Sequence, residues 1–430
     1  MKLPIASTKD ALSWIDSFFM STSAVCVTGL SVADIGKDLT MFGQMVILFL
    51  IQLGGLGIMT FSLLFIILLG KKIGLHSNLQ IPDLSQDISF KNIKYSILMI
   101  FAMTFFIESA GAILLFFNLK NYHSFPFAVY SSIFHSVSAF CNAGFSLYSD
   151  SFIGFNNNPY IMGILMFLIV LGGLGFIVIY EVIRIISFKR SVSEKLCISL
   201  HTKIALGGSL FFIVFGAIII LLLESRGIMR GMPLSQQILN SFFLSVTSRT
   251  AGFNAVDTAL LSNPTLILLL FFMFVGGCPG STAGGIKIHT FFSLIAVFRN
   301  KLRGLSMASL FKRKIPDAVV SRALTICITS FFIIFIAVFL LQLSENGAIS
   351  HLEVKQREEF FDTLFESVSA FATVGLSTGT TLCLSSWGKG IIILLMFAGR
   401  VGPLTLGIAL QMRQKRKPVY EFPVEEIILS

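Results

Sequence analysis

Four short segments end a run of small and hydroxyl-bearing residues on a glycine: CVTGLS at 26–31, CNAGFS at 141–146, RTAGFN at 249–254 and ATVGLS at 372–377. Aligned on Gly29, Gly144, Gly252 and Gly375, each carries an upstream Phe19, Phe134, Phe243 or Phe365 and then Ser21, Ser136, Ser245 or Ser367. That serine lies eight residues before the glycine in three copies and seven in the third, a one-residue deletion. These residue types offer no nucleophile with its base and no metal-ligand cluster. What they offer is backbone. Glycine admits torsions that let successive carbonyls point the same way, and four such strands together supply rings of oxygens able to replace a cation's hydration shell. The ligands would come from Val27, Thr28 and Gly29, from Asn142, Ala143 and Gly144, from Thr250, Ala251 and Gly252, and from Thr373, Val374 and Gly375. Their side chains are free to differ because the carbonyls do the coordinating.

Positioning such strands requires short helices. Asp16, Ser131, Asn240 and Asp362 share one column, and each can accept bonds from the free N–H groups of a helix start, so a short helix is expected to begin there in every copy. A helix of about 10–12 residues reaches about 15–18 Å, half of a bilayer's hydrocarbon thickness. It enters and stops, and the irregular backbone that follows is tolerated only where protein buries it or water wets it. The partly negative C-terminal ends of these helices favour a cation. Asp34, Asp150 and Asp257 follow the glycine by five or six residues, whereas the fourth copy offers Thr380 and Thr381.

The rest of the chain supports membrane immersion. It has 430 residues, 55% hydrophobic and 13% charged, with a mean hydropathy of +0.86, too apolar for a soluble globular protein. Apolar runs at 41–69, 95–117, 160–186, 204–223, 265–298, 324–343 and 390–410 predict seven spans. The opening MKLPIASTKDALSW lacks the apolar core of a secretory signal, so the first span is expected to direct insertion. The net charge of +10 does not point to nucleic acid, because the basic residues gather at span ends in 71–94, 184–203, 299–322 and 413–417. By the positive-inside rule these segments are cytoplasmic, and the glycine motifs enter from outside. The six cysteines are scattered singly and predict neither a disulfide framework nor a metal site. The units divide as 1–92, 93–200, 201–320 and 321–430.

TSAVCVTGLS, SVTSRTAGFN and SAFATVGLSTG resemble the Trk/Ktr/HKT superfamily of potassium transporters, most closely the membrane subunit of its Ktr branch. The resemblance covers nearly the whole chain. It implies an all-α integral membrane protein of four pseudo-symmetric helix, pore loop, helix repeats around one potassium pathway, paired as a homodimer in the bacterial plasma membrane. It also implies a cytosolic ring of regulator subunits that bind adenine nucleotides, with no organic cofactor in this chain. The family's filter glycines fall on Gly29, Gly144, Gly252 and Gly375. In plant relatives a serine at the first position accompanies sodium transport, so Gly29 favours potassium, and sodium coupling is left open. The first copy departs from the pattern, with only 1–13 before its short helix and its first helix lacking from the sequence: either a further apolar run lies upstream, the favoured expectation, or that helix is absent.

Other residues carry competing readings. Arg400 lies inside the last span, where an arginine costs roughly 2.5–3.5 kcal/mol on insertion scales. It is either a salt-bridge partner or, as the resemblance implies, a positive charge below the filter. GGCPGSTAGGIK at 276–287 breaks the third long span, which no helix passes cheaply. The resemblance implies a gating loop there, built on Gly276, Gly277, Gly280, Ser281, Thr282, Gly284 and Gly285, with Lys287 helping to close it or snorkelling. The spacing of a phosphate-binding loop is not met. GGLG at 54–57 and 172–175 reads as close helix packing. Glu108 and Glu181 are candidates to pair with Arg400 or Lys287, or to make packing hydrogen bonds, and His135 reads as structural. The basic stretch 299–317 sets topology, contacts anionic lipid or docks the regulator, and the tail beyond Pro418 can reach a partner subunit. Potassium uptake is the leading function. A secondary symporter of an organic solute is the alternative, opposed by four copies in one orientation where such proteins show two inverted halves. No catalytic spacing points to an enzyme.

Overall fold

The computed structural model describes residues 2–8, 12–73, 93–186, 198–305, 308–311, 313–345 and 354–402. Helix dominates. Trp14–Val25 (α1) leads through Ile35–Asp38 (α2) to Met41–Ile73 (α3). Ile93–Leu119 (α4) and Phe125–Phe140 (α5) are followed by Pro159–Leu174 (α6) and Phe176–Ile186 (α7). Leu200–Glu224 (α8), Leu234–Thr247 (α9), Asn263–Phe274 (α10) and Ile288–Leu302 (α11) come next. Asp317–Glu345 (α12), Val354–Ala372 (α13), Thr380–Cys383 (α14) and Ser386–Val401 (α15) complete the order. Within the basic segment, Ser309–Leu310 pairs antiparallel with Arg313–Lys314 as a small hairpin. The expectations for the tail beyond 402 and for most of the basic segments 71–94 and 413–417 lie outside the described residues.

Among the described residues, three helices are long and apolar enough to cross a membrane alone: residues 97–119 of α4, all of α8 and all of α12. The continuous span expected at 160–186 is corrected: it breaks at Gly175, φ +83°, with a 104° bend between α6 and α7. The interruption expected at 276–287 is found: helix stops at Phe274 and resumes only at Ile288. In both, glycines remove the side chains that would hold a helix straight and admit backbone torsions closed to other residues.

Four helices precede the glycine strands, and they start earlier than expected. Ser13 rather than Asp16 caps α1, its hydroxyl accepting from the Asp16 N–H at 3.1 Å and donating to the Asp16 carboxylate at 2.6 Å. Ser124 and Pro233 stand at the N-caps of α5 and α9, and α13 begins at Val354. The capping column therefore lies inside the helices. The expected length of about 10–12 residues suits α1 alone; the others have 16, 14 and 19 residues. Proline in the first turn of α5 and at the α9 N-cap, with its preset φ, starts those helices before the column is reached.

Packing among these elements runs in a cycle. Each strand-bearing helix touches the long helix that follows the preceding strand: α5 packs on α3, α9 on α6, α13 on α10, and α1 on α15. The helix before it in sequence supports α5, α9 and α13 through α4, α8 and α12. Phe19, Phe134, Phe243 and Phe365, the repeated phenylalanines, are all fully buried. The first and last quarters of the chain thus close on each other.

Candidate functional site

At the C-terminal end of each short helix the chain turns back. The residue two before each glycine takes a positive φ: Val27 +55°, Asn142 +59°, Thr250 +76° and Thr373 +52°. The glycines follow at +95°, +70°, +78° and +90°. Left-handed backbone is rare outside glycine, and for β-branched Val27, Thr250 and Thr373 it is strained. Positive φ at alternate residues sets these strands apart from both helix and sheet backbone.

The four glycines lie in a ring. A Cβ on Gly29 would sit 2.5 Å from the Ala143 carbonyl oxygen and 3.2 Å from Cα of Gly144. One on Gly144 would sit 2.8 Å from the Ala251 carbonyl oxygen and 3.1 Å from Cα of Gly252. One on Gly252 would press on the Val374 carbonyl, 3.1 Å from Cα of Gly375, and one on Gly375 on the Thr28 carbonyl, 3.0 Å from Cα of Gly29. The sequence Gly29, Gly144, Gly252, Gly375 and back to Gly29 closes, and no side chain larger than hydrogen fits between neighbours.

A column that the sequence reading passed over holds these strands. The Gly29 N–H donates to the Ser23 hydroxyl at 3.2 Å and the Gly375 N–H to the Ser369 hydroxyl at 3.1 Å. Ser138 donates to the Phe145 carbonyl and Thr247 to the Phe253 carbonyl, both at 2.8 Å. These hydroxyls lie two residues past the serine column noted from sequence, so the same alignment contained them. Of the noted column, Ser21 and Ser367 bond within their own helices, while Ser136 reaches Glu108 and Ser245 reaches Phe212 and Ile213 on the preceding helices. The third copy absorbs its missing residue where the strand leaves the helix. There the N–H before the glycine, that of Ala251, bonds the Thr247 carbonyl four back, while Thr28, Ala143 and Val374 bond five back.

One end of the ring opens into a vestibule of about 550 Å³ lined by all four glycines and by Asp34, Asp150 and Asp257. Against the other end lies the segment joining α10 to α11. Its Gly276 N–H bonds the Ile286 carbonyl at 2.9 Å, and the Cys278 N–H bonds the Gly173 carbonyl at 2.9 Å, at the break between α6 and α7. Gly284 is pressed against the Ala372 carbonyl and the Thr373 hydroxyl, and Thr282 donates to the Phe140 carbonyl at 3.3 Å. Gly277, Gly280, Ser281 and Gly285 belong to the same loop, in which Ser281 and Thr282 are buried.

Three cations surround this loop. Arg400 donates one guanidinium nitrogen to the Thr282 carbonyl and the other, at 3.2 Å, to the Gly54 carbonyl. Lys287 donates to the Ala283 carbonyl at 2.5 Å. Arg249, which the sequence reading did not single out, reaches the Gly276 carbonyl at 3.4 Å and lies 5.8 Å from the Phe212 ring, within cation–π range. Its signal was available: the same column holds Cys26, Cys141 and Ala372.

Glu108 and Glu181, candidates either to pair with Arg400 or Lys287 or to make packing hydrogen bonds, make hydrogen bonds. Glu108 accepts from Gln52 at 3.1 Å and from the Cys141 thiol at 3.7 Å. Glu181 caps α8, accepting from the Ser199 N–H and hydroxyl, both at 2.7 Å, and from Thr202. Backbone carbonyls, numerous where helices break, take the cations instead. His135 bonds Ser146 and the Leu147 N–H at 3.1 Å and stacks on Tyr148 at 4.9 Å, a structural role. The glycine clusters also have a specific job. Gly54, Gly172 and Gly399 each meet a carbonyl at the end of their own copy's short helix, those of Val25, Phe140 and Phe371, with no space for a Cβ.

Comparison with known proteins agrees with this architecture. Residues 2–417 match the family described as TrkH, cation transport protein. The chain is 37% identical over 407 residues to Ktr system potassium uptake protein B of Bacillus subtilis, covering 94% of this chain and 87% of that protein. It is 34% identical over 434 residues to potassium/sodium uptake protein NtpJ of Enterococcus hirae, covering 100% of this chain and 93% of that protein. The crystal structure of the potassium transporter TrkH from Vibrio parahaemolyticus superposes with a TM-score of 0.73 at 20% identity, over 93% of this chain and 78% of that one, a likeness of fold. The chain is a multi-pass membrane transporter rather than an enzyme, and it belongs to the TrkH family of cation transport proteins.

Proposed function

We propose that this chain takes up potassium across the bacterial plasma membrane through the ring formed by its four glycine strands. The observation that carries the reading is the closed cycle of Gly29, Gly144, Gly252 and Gly375, each so near the next that an added Cβ would meet the neighbouring glycine's Cα at 3.0–3.2 Å. Carbonyls of Val27–Gly29, Asn142–Gly144, Thr250–Gly252 and Thr373–Gly375 act as the dehydrating ligands. The four units 1–92, 93–200, 201–320 and 321–430 each supply one strand. The vestibule acids gather cations on the outer side, and the short helices aim their negative ends at the pathway.

Below the ring, the loop 276–287 is the gate. Arg400 fastens it through Thr282, with Lys287 and Arg249 adding positive charge where a dehydrated cation would leave the strands. A cytosolic nucleotide-binding regulator releases it, and two copies of the chain form the working unit. Both features rest on the resemblance to Ktr systems. NtpJ, named for both ions, makes sodium the co-ion to examine.

The test is uptake of rubidium or potassium into liposomes holding the purified chain, with sodium and a panel of organic solutes as competitors. Saturable rubidium entry, inhibited by potassium and indifferent to solutes, is expected. Solute uptake coupled to sodium, without rubidium entry, would replace this reading with a symporter.

A further inference from the structure

Asp34, Asp150 and Asp257 follow their glycines by five, six and five residues and line the vestibule; at the matching place in the fourth copy stands Thr381. The mouth is therefore acidic on three sides by sequence. Thr381 is only 2% exposed, and its hydroxyl donates to the Glu366 carboxylate within α13. Glu366 is 1% exposed, its second carboxylate oxygen has no hydrogen-bond partner, and among the described residues no cation pairs with it. Thr381 also lies 3.1 Å from the Ser377 hydroxyl, and both Ser377 and Thr381 line the vestibule. In the other copies the column of Glu366 holds Met20, His135 and Leu244. A carboxylate thus occurs in that column only where the vestibule acid is missing.

We propose that Glu366 is the fourth acid of the cation mouth: a residue that sets cation affinity by placing its charge behind the fourth strand, handed to the vestibule through Thr381 and Ser377. The inference rests on the uptake reading above and deepens it. A buried acid without an ion partner is costly in an empty protein. A cation in the vestibule offsets that cost, so ion occupancy and the charge on Glu366 support each other. An apolar residue here would leave the fourth wall of the mouth neutral while the other three attract.

The experiment is rubidium uptake into liposomes holding the full chain, comparing the parent, Glu366→Gln and the double variant Glu366→Gln with Thr381→Asp. Glu366→Gln is expected to raise the half-saturating rubidium concentration roughly three- to tenfold, with the preference for rubidium over sodium retained. Thr381→Asp restores the acid where the other copies carry it and is expected to bring half-saturation back toward the parent. Half-saturation in Glu366→Gln within about twofold of the parent overturns the proposal. Loss of ion preference that the double variant does not restore also overturns it, since Glu366 would then only brace the strand. If Glu366→Gln yields no protein, Thr381→Val decides: it withdraws the carboxylate's donor and is expected to raise half-saturation, and an unchanged value rejects the idea. A parent that takes up no rubidium fails the uptake reading itself and is told apart from all of these.

Discussion

The ammonium of Lys389, near the start of α15, lies 2.7 Å from the Asp16 carboxylate in the first turn of α1, across 373 residues of sequence. The pair joins the first glycine-strand helix to the last long helix and so closes the cycle of packing. Both side chains are mostly buried, at 16% and 21% exposure. Burial alone would lift the Asp16 carboxyl, but the hydrogen bonds from Lys389 and Ser13 and the Lys389 charge outweigh it and hold the group below its ordinary value. Its contribution to stability is therefore present above the ordinary carboxylate value and is lost as pH falls through the lowered one. Lys389→Met should cost about 1–3 kcal/mol, between exposed and fully buried pairs. The check is thermal unfolding of the purified chain in a double-mutant cycle with Asp16→Asn, in which additive losses would show that the two residues do not cooperate.

Substitution in the ring should act on ion choice before it acts on rate. Gly375 takes φ +90°, and a Cβ there would press on the Thr28 carbonyl and the Gly29 backbone. Holding a non-glycine residue in that region costs about 1–3 kcal/mol, so the strand relaxes and its carbonyls move. Gly375→Ser should reduce potassium-over-sodium discrimination by about tenfold, the equivalent of about 1.4 kcal/mol, in competitive liposome flux. Unchanged discrimination in a folded variant would remove Gly375 from the ligand ring.

The sequence made the ring legible because its signal is local and repeated: a glycine, a spacing constant to within one residue and a phenylalanine in each copy. Helix starts were less legible. The capping residues at 16, 131, 240 and 362 had the right chemistry, yet proline and serine farther upstream begin the helices first. The break at Gly175 was hidden because GGLG is equally compatible with close packing in a straight helix. At 54–57 α3 does run straight through it, whereas at 172–175 the loop carrying Cys278 and Gly280 bonds the opened backbone. Partners of charged groups were the least legible part. Arg400, Lys287 and Arg249 bond carbonyls of the loop between α10 and α11, and Arg400 also bonds the Gly54 carbonyl within α3; no pairing of acid with base in sequence announces that.

The loop beneath the ring makes a prediction that needs no regulator. Arg400 holds the Thr282 and Gly54 carbonyls at once, tying the loop to α3. Arg400→Gln withdraws the charge and weakens both bonds, since charge-assisted hydrogen bonds are about twice as strong as neutral ones. Rubidium entry into liposomes containing the chain alone should rise several-fold, and shortening the loop within 276–285 should raise it further. Entry at the parent's rate in both folded variants would mean that the loop does not obstruct the pathway.

Gly172 and Gly399 supply a final test that separates packing from transport chemistry. Each lies against a carbonyl of its own copy's short helix, Phe140 and Phe371, so closely that a methyl group would overlap the oxygen. Gly163, in α6, serves as the control, because a methyl group there would meet no other atom within 4 Å. Overpacking costs about 1–3 kcal/mol, whereas glycine to alanine in an unobstructed helix gains roughly 0.5–1 kcal/mol. Gly172→Ala and Gly399→Ala should therefore lower the unfolding temperature, and Gly163→Ala should raise it slightly. Because the displaced carbonyls end the helices that carry the strands, the first two should also blunt ion discrimination in proportion to the stability lost. Full stability and full discrimination in both would show that the helix ends are not held by these glycines.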